Sequence, residues 1–194
     1  MAYSMFRPDL GYVQGMSYVA GSLLLHFGTE YETFMLFSNL MGREDMLFDF
    51  YSFDMDKVGV VFQVFMKLLK EKVPNLHVSF EKTNLSCSIF LFEWVVAIYS
   101  NIFPLETSSR VWDNFMYYGE FYIIKVALAL CLCIEAKVTS GDSSFENLVL
   151  LLKNVKQEVT SDQMFKAVQD LKLTKVQFIK VKKQILNSIV EKPN

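Results

Sequence analysis

A chain of 194 residues with 52% hydrophobic and 15% aromatic residues and a mean hydropathy of +0.25 is long and apolar enough to close one domain around a sizeable core. A formal net charge of −2 and a pI near 5.7 argue against a broad nucleic-acid footprint, and four Pro and eight Gly leave no linker composition. Three cysteines, Cys87, Cys131 and Cys133, with His26 and His77 offer no zinc spacing; they read as buried thiols of a reducing compartment, with a Cys–His dyad left open at this level.

Apolar residues recur at spacings of three and four along almost the whole chain, whereas strict alternation over a strand's length is rare, so the fold is predicted to be all-α. Pro8 and Asp9 offer a turn and an N-cap, after which Leu10 to Phe27 reads as a helix ended by Gly28-Thr29. Glu30 to Met41 follows, stopped by Gly42, and then Asp54 to Lys72, stopped by Pro74. Asn75 to Lys82 is short and ambiguous. Ser86 to Ile102 is almost wholly apolar and is expected to be central. Leu105 to Tyr118 and Glu120 to Ala136 are further helices, Ser140 to Ser144 is the clearest loop, and weaker helices are placed at Phe145 to Asn154, Ser161 to Leu171 and Lys175 to Val190.

A membrane span needs about 18 consecutive apolar residues. Lys125 interrupts the run from Phe121 to Ile134 and Glu93 the run from Ser88 to Tyr99, so no transmembrane helix is predicted. The first residues lack a basic cluster followed by an apolar stretch, which argues against a secretory signal and for an intracellular, cytoplasmic chain. From Lys153 onward lysines outnumber acids, with Lys180, Lys182 and Lys183 close together. These read either as a solvated helix face or as a contact for an acidic partner or an anionic membrane surface.

The most informative polar residue is Gln14, set between Gly11 and Gly15. A carboxamide offers two N–H donors and one acceptor, so it can hold a water while donating to a phosphate oxygen, without changing charge. The flanking glycines either admit a ligand or another backbone, or serve tight packing of a small-residue face formed by Gly15, Ala20 and Gly21. Tyr12 either hydrogen-bonds near the site or fills core volume. Arg7 and Asp9 pair with each other or with charges on a partner.

The residues Arg7-Pro8-Asp9-Leu10-Gly11-Tyr12-Val13-Gln14-Gly15-Met16 resemble the signature R-P-x-x-G-Y-x-Q-G-M of the TBC domain, the family of GTPase-activating proteins for Rab GTPases. A second segment, Pro104 to Phe115 with Arg110, Trp112 and Asp113, is similar to the family pattern P-x-x-x-x-x-R-x-W-D-x-F and is followed by Gly119-Glu120. Trp112 reads as core volume, and Arg110 and Asp113 are spaced for a same-face pair.

The resemblance implies a multi-helix orthogonal array that acts on the active site of a partner, a Rab-family GTPase in its GTP-bound form, and is not an enzyme in its own right. It implies that Gln14 is the glutamine finger, with Arg7, Asp9, Gly11, Tyr12, Gly15 and Met16 on the partner surface. Magnesium and nucleotide belong to the GTPase, so the resemblance implies no metal or cofactor here. Vesicle trafficking and recruitment to endomembranes, with possible peripheral membrane association, complete the expectation.

The family's arginine finger lies in an I-x-x-D-x-x-R pattern upstream of the glutamine, and these 194 residues contain no such pattern. The chain is therefore expected to be the larger C-terminal part of a TBC domain, impaired as an activator. It is either a truncated gene product or a pseudo-activator that binds Rab without turning it over. Uncovered apolar faces then predict poor solubility or self-association; light scattering is expected to show oligomers, and a sharp monomer peak with cooperative melting would refute this.

Overall fold

The computed structural model describes residues 2–42, 46–141 and 143–190, and among them every regular element is an α-helix. The first four are α1 (Ala2–Phe6), α2 (Met16–Phe27), α3 (Glu30–Met41) and α4 (Met46–Tyr51). Then come α5 (Met55–Lys72), α6 (Pro74–Thr83), α7 (Ser88–Val96), α8 (Leu105–Tyr118) and α9 (Glu120–Ser140). Four more close the chain: α10 (Phe145–Lys153), α11 (Val155–Glu158), α12 (Ser161–Asp170) and α13 (Lys175–Val190).

The helix boundaries follow local chemistry. Thr29 caps α3 by accepting from the Glu32 amide, and Asp54 caps α5 by accepting from the Lys57 amide. Thr160 and Gln163 form a reciprocal capping box at α12. Pro74, expected only as a stop, occupies the first turn of α6, where its missing N–H costs nothing. The loop expected at Ser140 to Ser144 begins one residue later, because α9 includes Ser140; Asp142 lies outside the described residues.

The centre of the array is α9, against which α5, α6, α7, α8, α10, α11 and α12 all pack. Val126, Ala127, Leu128, Ala129, Leu130 and Cys131 are each 0% exposed, so no side of the helix faces water over that stretch. A helix apolar all round has to be enclosed, and each buried Leu or Val there contributes about 1.5–3 kcal/mol of transfer free energy. No helix among the described residues is long and apolar enough to cross a membrane.

The expected helix from Ser86 to Ile102 is shorter than its pattern suggests, since α7 stops at Val96. Ile98 and Tyr99 adopt left-handed backbone, with φ of 46° and 60°, and the chain reverses there. What compensates this strain is burial. Ile98 and Tyr99 are both fully enclosed, and the Tyr99 hydroxyl donates 2.7 Å to the Ile123 carbonyl of α9. Tertiary contact overrides a local pattern that reads as one long helix. Burial also pushes the Tyr99 hydroxyl well above its ordinary pKa, so it stays a donor. Tyr99→Phe is expected to lower unfolding stability by about 0.5–1.5 kcal/mol, because a buried hydroxyl–carbonyl hydrogen bond is lost while the Ile123 carbonyl keeps its acceptor role within α9; a urea midpoint unchanged from wild type would contradict this.

Candidate functional site

Helix α2 does not begin at Leu10 as the pattern suggests; it begins at Met16. The reason lies in the backbone. Gly11 has φ +64° and Gly15 φ +108°, values that a right-handed helix cannot contain. Asp9 does not cap the helix either, because its carboxylate is held by the Arg7 guanidinium, with Nε–Oδ1 at 2.8 Å and Nη2–Oδ2 at 2.6 Å. That hydrogen bond keeps the Asp9 carboxyl below the usual carboxylate range. Of the two readings of Arg7 and Asp9, the local pair is the one observed.

Between these glycines the chain makes a reverse turn closed by the Met16 amide donating to the Val13 carbonyl at 3.1 Å. Gln14 and Gly15 are its central residues. Gln14 is exposed at the tip, and no hydrogen bond joins its carboxamide to any described residue. Its donors and acceptor are all free. Tyr12 stands beside it, 62% exposed, with its hydroxyl donating to Ser17 Oγ at 3.3 Å, so it does not fill core volume.

The turn is seated on α7. A Cβ at Gly15 would lie 2.8 Å from Val96 Cγ2 and 3.1 Å from the Val96 carbonyl oxygen, so only glycine fits the gap. The same Val96 carbonyl accepts from the buried Tyr51 hydroxyl of α4, whose pKa burial raises. Val13 and Met16 are buried at 6% and 4%, anchoring the turn on either side of its tip. Gly15 and Met16, expected on the partner surface, are therefore enclosed and shape the turn from beneath. Gly21 is different: nothing lies within 4 Å of a Cβ built there, so of the expected small-residue face Gly15 and the partly buried Ala20 pack and Gly21 does not.

The second segment holds α2 in place. Trp112 is 8% exposed and its Nε1–H donates 2.9 Å to Ser100 Oγ, which in turn accepts from Ser22 Oγ of α2 at 3.0 Å. One turn along α2, the His26 ring meets Ser109 Oγ at 2.8 Å. The expected pair between Arg110 and Asp113 does not form. Arg110 instead lies over the Phe165 ring of α12, 3.8 Å from its centroid, while Asp113 is exposed. An exposed ion pair three residues apart is worth about 0.2–0.5 kcal/mol, and a close guanidinium–ring contact about 0.5–2, which decides the choice.

Gln14 opens onto a cleft of about 400 Å³ also lined by Glu93, Asn101, Lys153 and Lys156. None of these four polar side chains is marked for the site by the sequence; Glu93 stands out there only as a break in an apolar run. Asn101 and the two lysines lie about ninety and one hundred and forty residues away along the chain, and no motif marks them; only the lysine excess after Lys153 was a signal. The buried Oδ1 of Asn101 has no hydrogen-bond partner. Lys182, from the other lysine group, is engaged with Glu120 at 2.6 Å.

Thiol chemistry has no support in this geometry. Burial pushes the Cys87 thiol up to about 12 and Cys131 well above its ordinary value, and raises the half-buried Cys133 as well, so all three stay protonated at neutral pH. His26 engages Ser22 and Ser109, and His77 faces Glu81 at 3.5 Å; neither meets a thiol. Among the described residues no group of three His, Cys, Asp or Glu side chains is placed to hold a metal ion.

Known proteins resemble the chain in family and in fold. Residues 1–139 match the family profile described as the Rab-GTPase-TBC domain. The chain is 32% identical over 172 residues to mouse TBC1 domain family member 14, covering 89% of this chain and 24% of that protein. It is 26% identical over 180 residues to Drainin of Dictyostelium discoideum, covering 93% of this chain and 40% of that one. The chain thus spans about a quarter of the length of the first of these relatives. The crystal structure of the Chlamydomonas flagellar RabGAP TBC domain superposes with a TM-score of 0.72 at 22% identity, over 91% of this chain and 57% of that one, which establishes a shared helical fold.

Gly15 and Gly21 should respond to the same substitution in opposite ways. Gly15→Ala is expected to cost about 2–3 kcal/mol, from a strained positive φ and the clash with Val96. Gly21→Ala, in open space inside α2, is expected to stabilise by about 0.5–1 kcal/mol. Thermal melts of the two variants should move in opposite directions, and a neutral Gly15→Ala would remove the proposed seat of the turn.

Proposed function

The chain belongs to the Rab-GTPase-TBC domain family, and from that premise we propose that it docks on a GTP-loaded Rab-family GTPase and offers Gln14 in trans to the nucleotide site. The observation that carries this reading is the state of Gln14: at the tip of a glycine-flanked turn, exposed, its carboxamide uncommitted, beside a polar cleft. Phosphoryl transfer asks little covalent work of a protein, so rate is gained by orienting the attacking water and balancing charge on the transferring group. An amide held on a rigid turn does the first of these. Its carbonyl accepts from the water while an N–H donates toward a phosphate oxygen.

Tyr12 and the Arg7–Asp9 pair lie on the same segment and form the near rim of the docking surface, with Gly11 giving the backbone its reversal. Gly15 and Met16 support this rim from below. Balancing of charge is the weaker half of the mechanism in these 194 residues, because no I-x-x-D-x-x-R occurs in them. An arginine finger supplies about 10³–10⁵ in rate, so acceleration by this segment alone falls short of a two-finger activator by a comparable factor. A second reading is an adaptor that binds Rab without turnover.

Single-turnover GTP hydrolysis across a panel of Rab GTPases, with binding measured in parallel, separates these readings. Wild type is expected to accelerate hydrolysis for at least one Rab, and Gln14→Ala to reduce that acceleration about tenfold or more while affinity stays within about twofold. Binding with no acceleration, indifferent to Gln14→Ala, establishes the adaptor instead.

A further inference from the structure

The far wall of the Gln14 cleft carries an unbalanced charge that the proposed chemistry does not use. Lys153 ends α10 and Lys156 lies on α11, three residues apart in sequence across the turn between the two helices, and both are exposed and line the cleft. Neither takes part in an ion pair among the described residues. The acid nearest to them in sequence, Glu158, is occupied, since its Oε2 meets Lys137 Nζ at 2.5 Å and the Glu158 carbonyl takes a second contact from the same ammonium. Two ammonium groups are therefore left facing a concave space in a chain whose net charge is −2.

We infer that Lys153 and Lys156 receive carboxylate side chains on the surface of the GTPase partner, a docking contact distinct from the task of Gln14; this rests on the Rab-binding reading above. Carboxylates fit better than the partner's nucleotide phosphates. Glu93 lines the same cleft, so the space holds two positive charges and one negative, a balance that accepts one or two monovalent anions at the lysine wall and opposes entry of a polyphosphate. Lysine also suits the position. Its ammonium is a compact, strongly hydrated charge on a flexible stem, effective at an exposed rim where no fixed bidentate geometry is needed. Asn101, which lines the same cleft, adds a neutral polar group beside the lysines.

Charges at an interface rim act mainly on encounter, accelerating association in a salt-dependent way, while groups aimed at reacting atoms act on the chemical step. The two cleft walls are thus separable by experiment. The test uses the 194-residue chain as wild type, Lys153→Glu/Lys156→Glu and the neutral Lys153→Gln/Lys156→Gln, with association rates to the Rab GTPases measured by stopped flow at about 25 mM and about 300 mM salt. Both positions are exposed, so the variants should keep the wild-type circular dichroism and melting temperature.

The charge-reversed variant is expected to associate about tenfold more slowly at low salt, the neutral one by an intermediate factor, with the gaps closing to about twofold or less at high salt. Hydrolysis at saturating concentration should be unchanged. Several results would overturn the inference. Association indifferent to both variants removes the lysine wall while leaving the Rab reading intact. Slowing by the charge-reversed variant that is as large at about 300 mM as at about 25 mM salt refutes a charge contact at the rim and with it the carboxylate assignment. Absence of wild-type binding to every GTPase in the panel brings down the underlying reading and this inference together.

Discussion

A missing side chain at one position sets the geometry of the site. Because Gly15 has no Cβ, the turn that carries Gln14 lies directly on Val96, within about the distance of backbone-to-backbone contact. The Val96 carbonyl beneath it is satisfied by the Tyr51 hydroxyl, so the seat itself is fixed by α4 as well as α7. The exposed amide at the turn's tip inherits its orientation from groups buried well below it. The backbone that carries Gln14 is thus fixed on a packed support, as the proposed positioning role would require.

Around that seat the two similar sequence segments meet. The chain of hydrogen bonds from Trp112 through Ser100 to Ser22, with His26 against Ser109 beside it, ties α8 to α2. Nothing in the second segment reaches Gln14 directly. Its contribution is mechanical: it stops α2 from sliding or rotating, and α2 in turn holds Met16 and the turn before it. Arg110, by lying on Phe165, extends this bracing to α12, which packs on α9 at the middle of the array. A tryptophan and an arginine about a hundred residues from the turn are thereby part of the same rigid body.

Several large apolar side chains stay exposed along the first helices. Met5, Phe6, Leu24, Leu25, Phe27 and Tyr31 are all exposed on or beside α1, α2 and α3, and Leu24 lines a groove of about 480 Å³ together with Tyr12 and Met16. Tyr3 packs edge-on against Phe37, and Phe6 against Phe34, so ring contacts join α1 to α3. This distribution agrees with the strongly apolar composition: a chain with so many large side chains cannot enclose them all in so few helices.

Sequence alone was enough for the all-α class and for the bounds of helices such as α3, α5 and α8, though not for the short α1, α4 and α11, because what it reads rests on chemistry within a few positions. Periodicity of three and four marks a helix wherever it occurs, caps such as Thr29, Asp54 and Thr160 act on amides three residues away, and a glutamine between two glycines is unusual on its face. Where local patterns pointed the wrong way, long-range contacts had decided otherwise. The start of α2 moved to Met16 because Gly15 answers to Val96, the end of α7 moved to Val96 because Tyr99 answers to Ile123, and Arg110 turned from Asp113 to Phe165. The polar cleft itself, with Asn101, Lys153 and Lys156 beside Gln14, is foreshadowed in the linear order only by the lysine excess from Lys153 onward. Spacing along a chain records which residues share a helix face, but which faces come together depends on how helices far apart in sequence bury one another, and only the folded packing settles that.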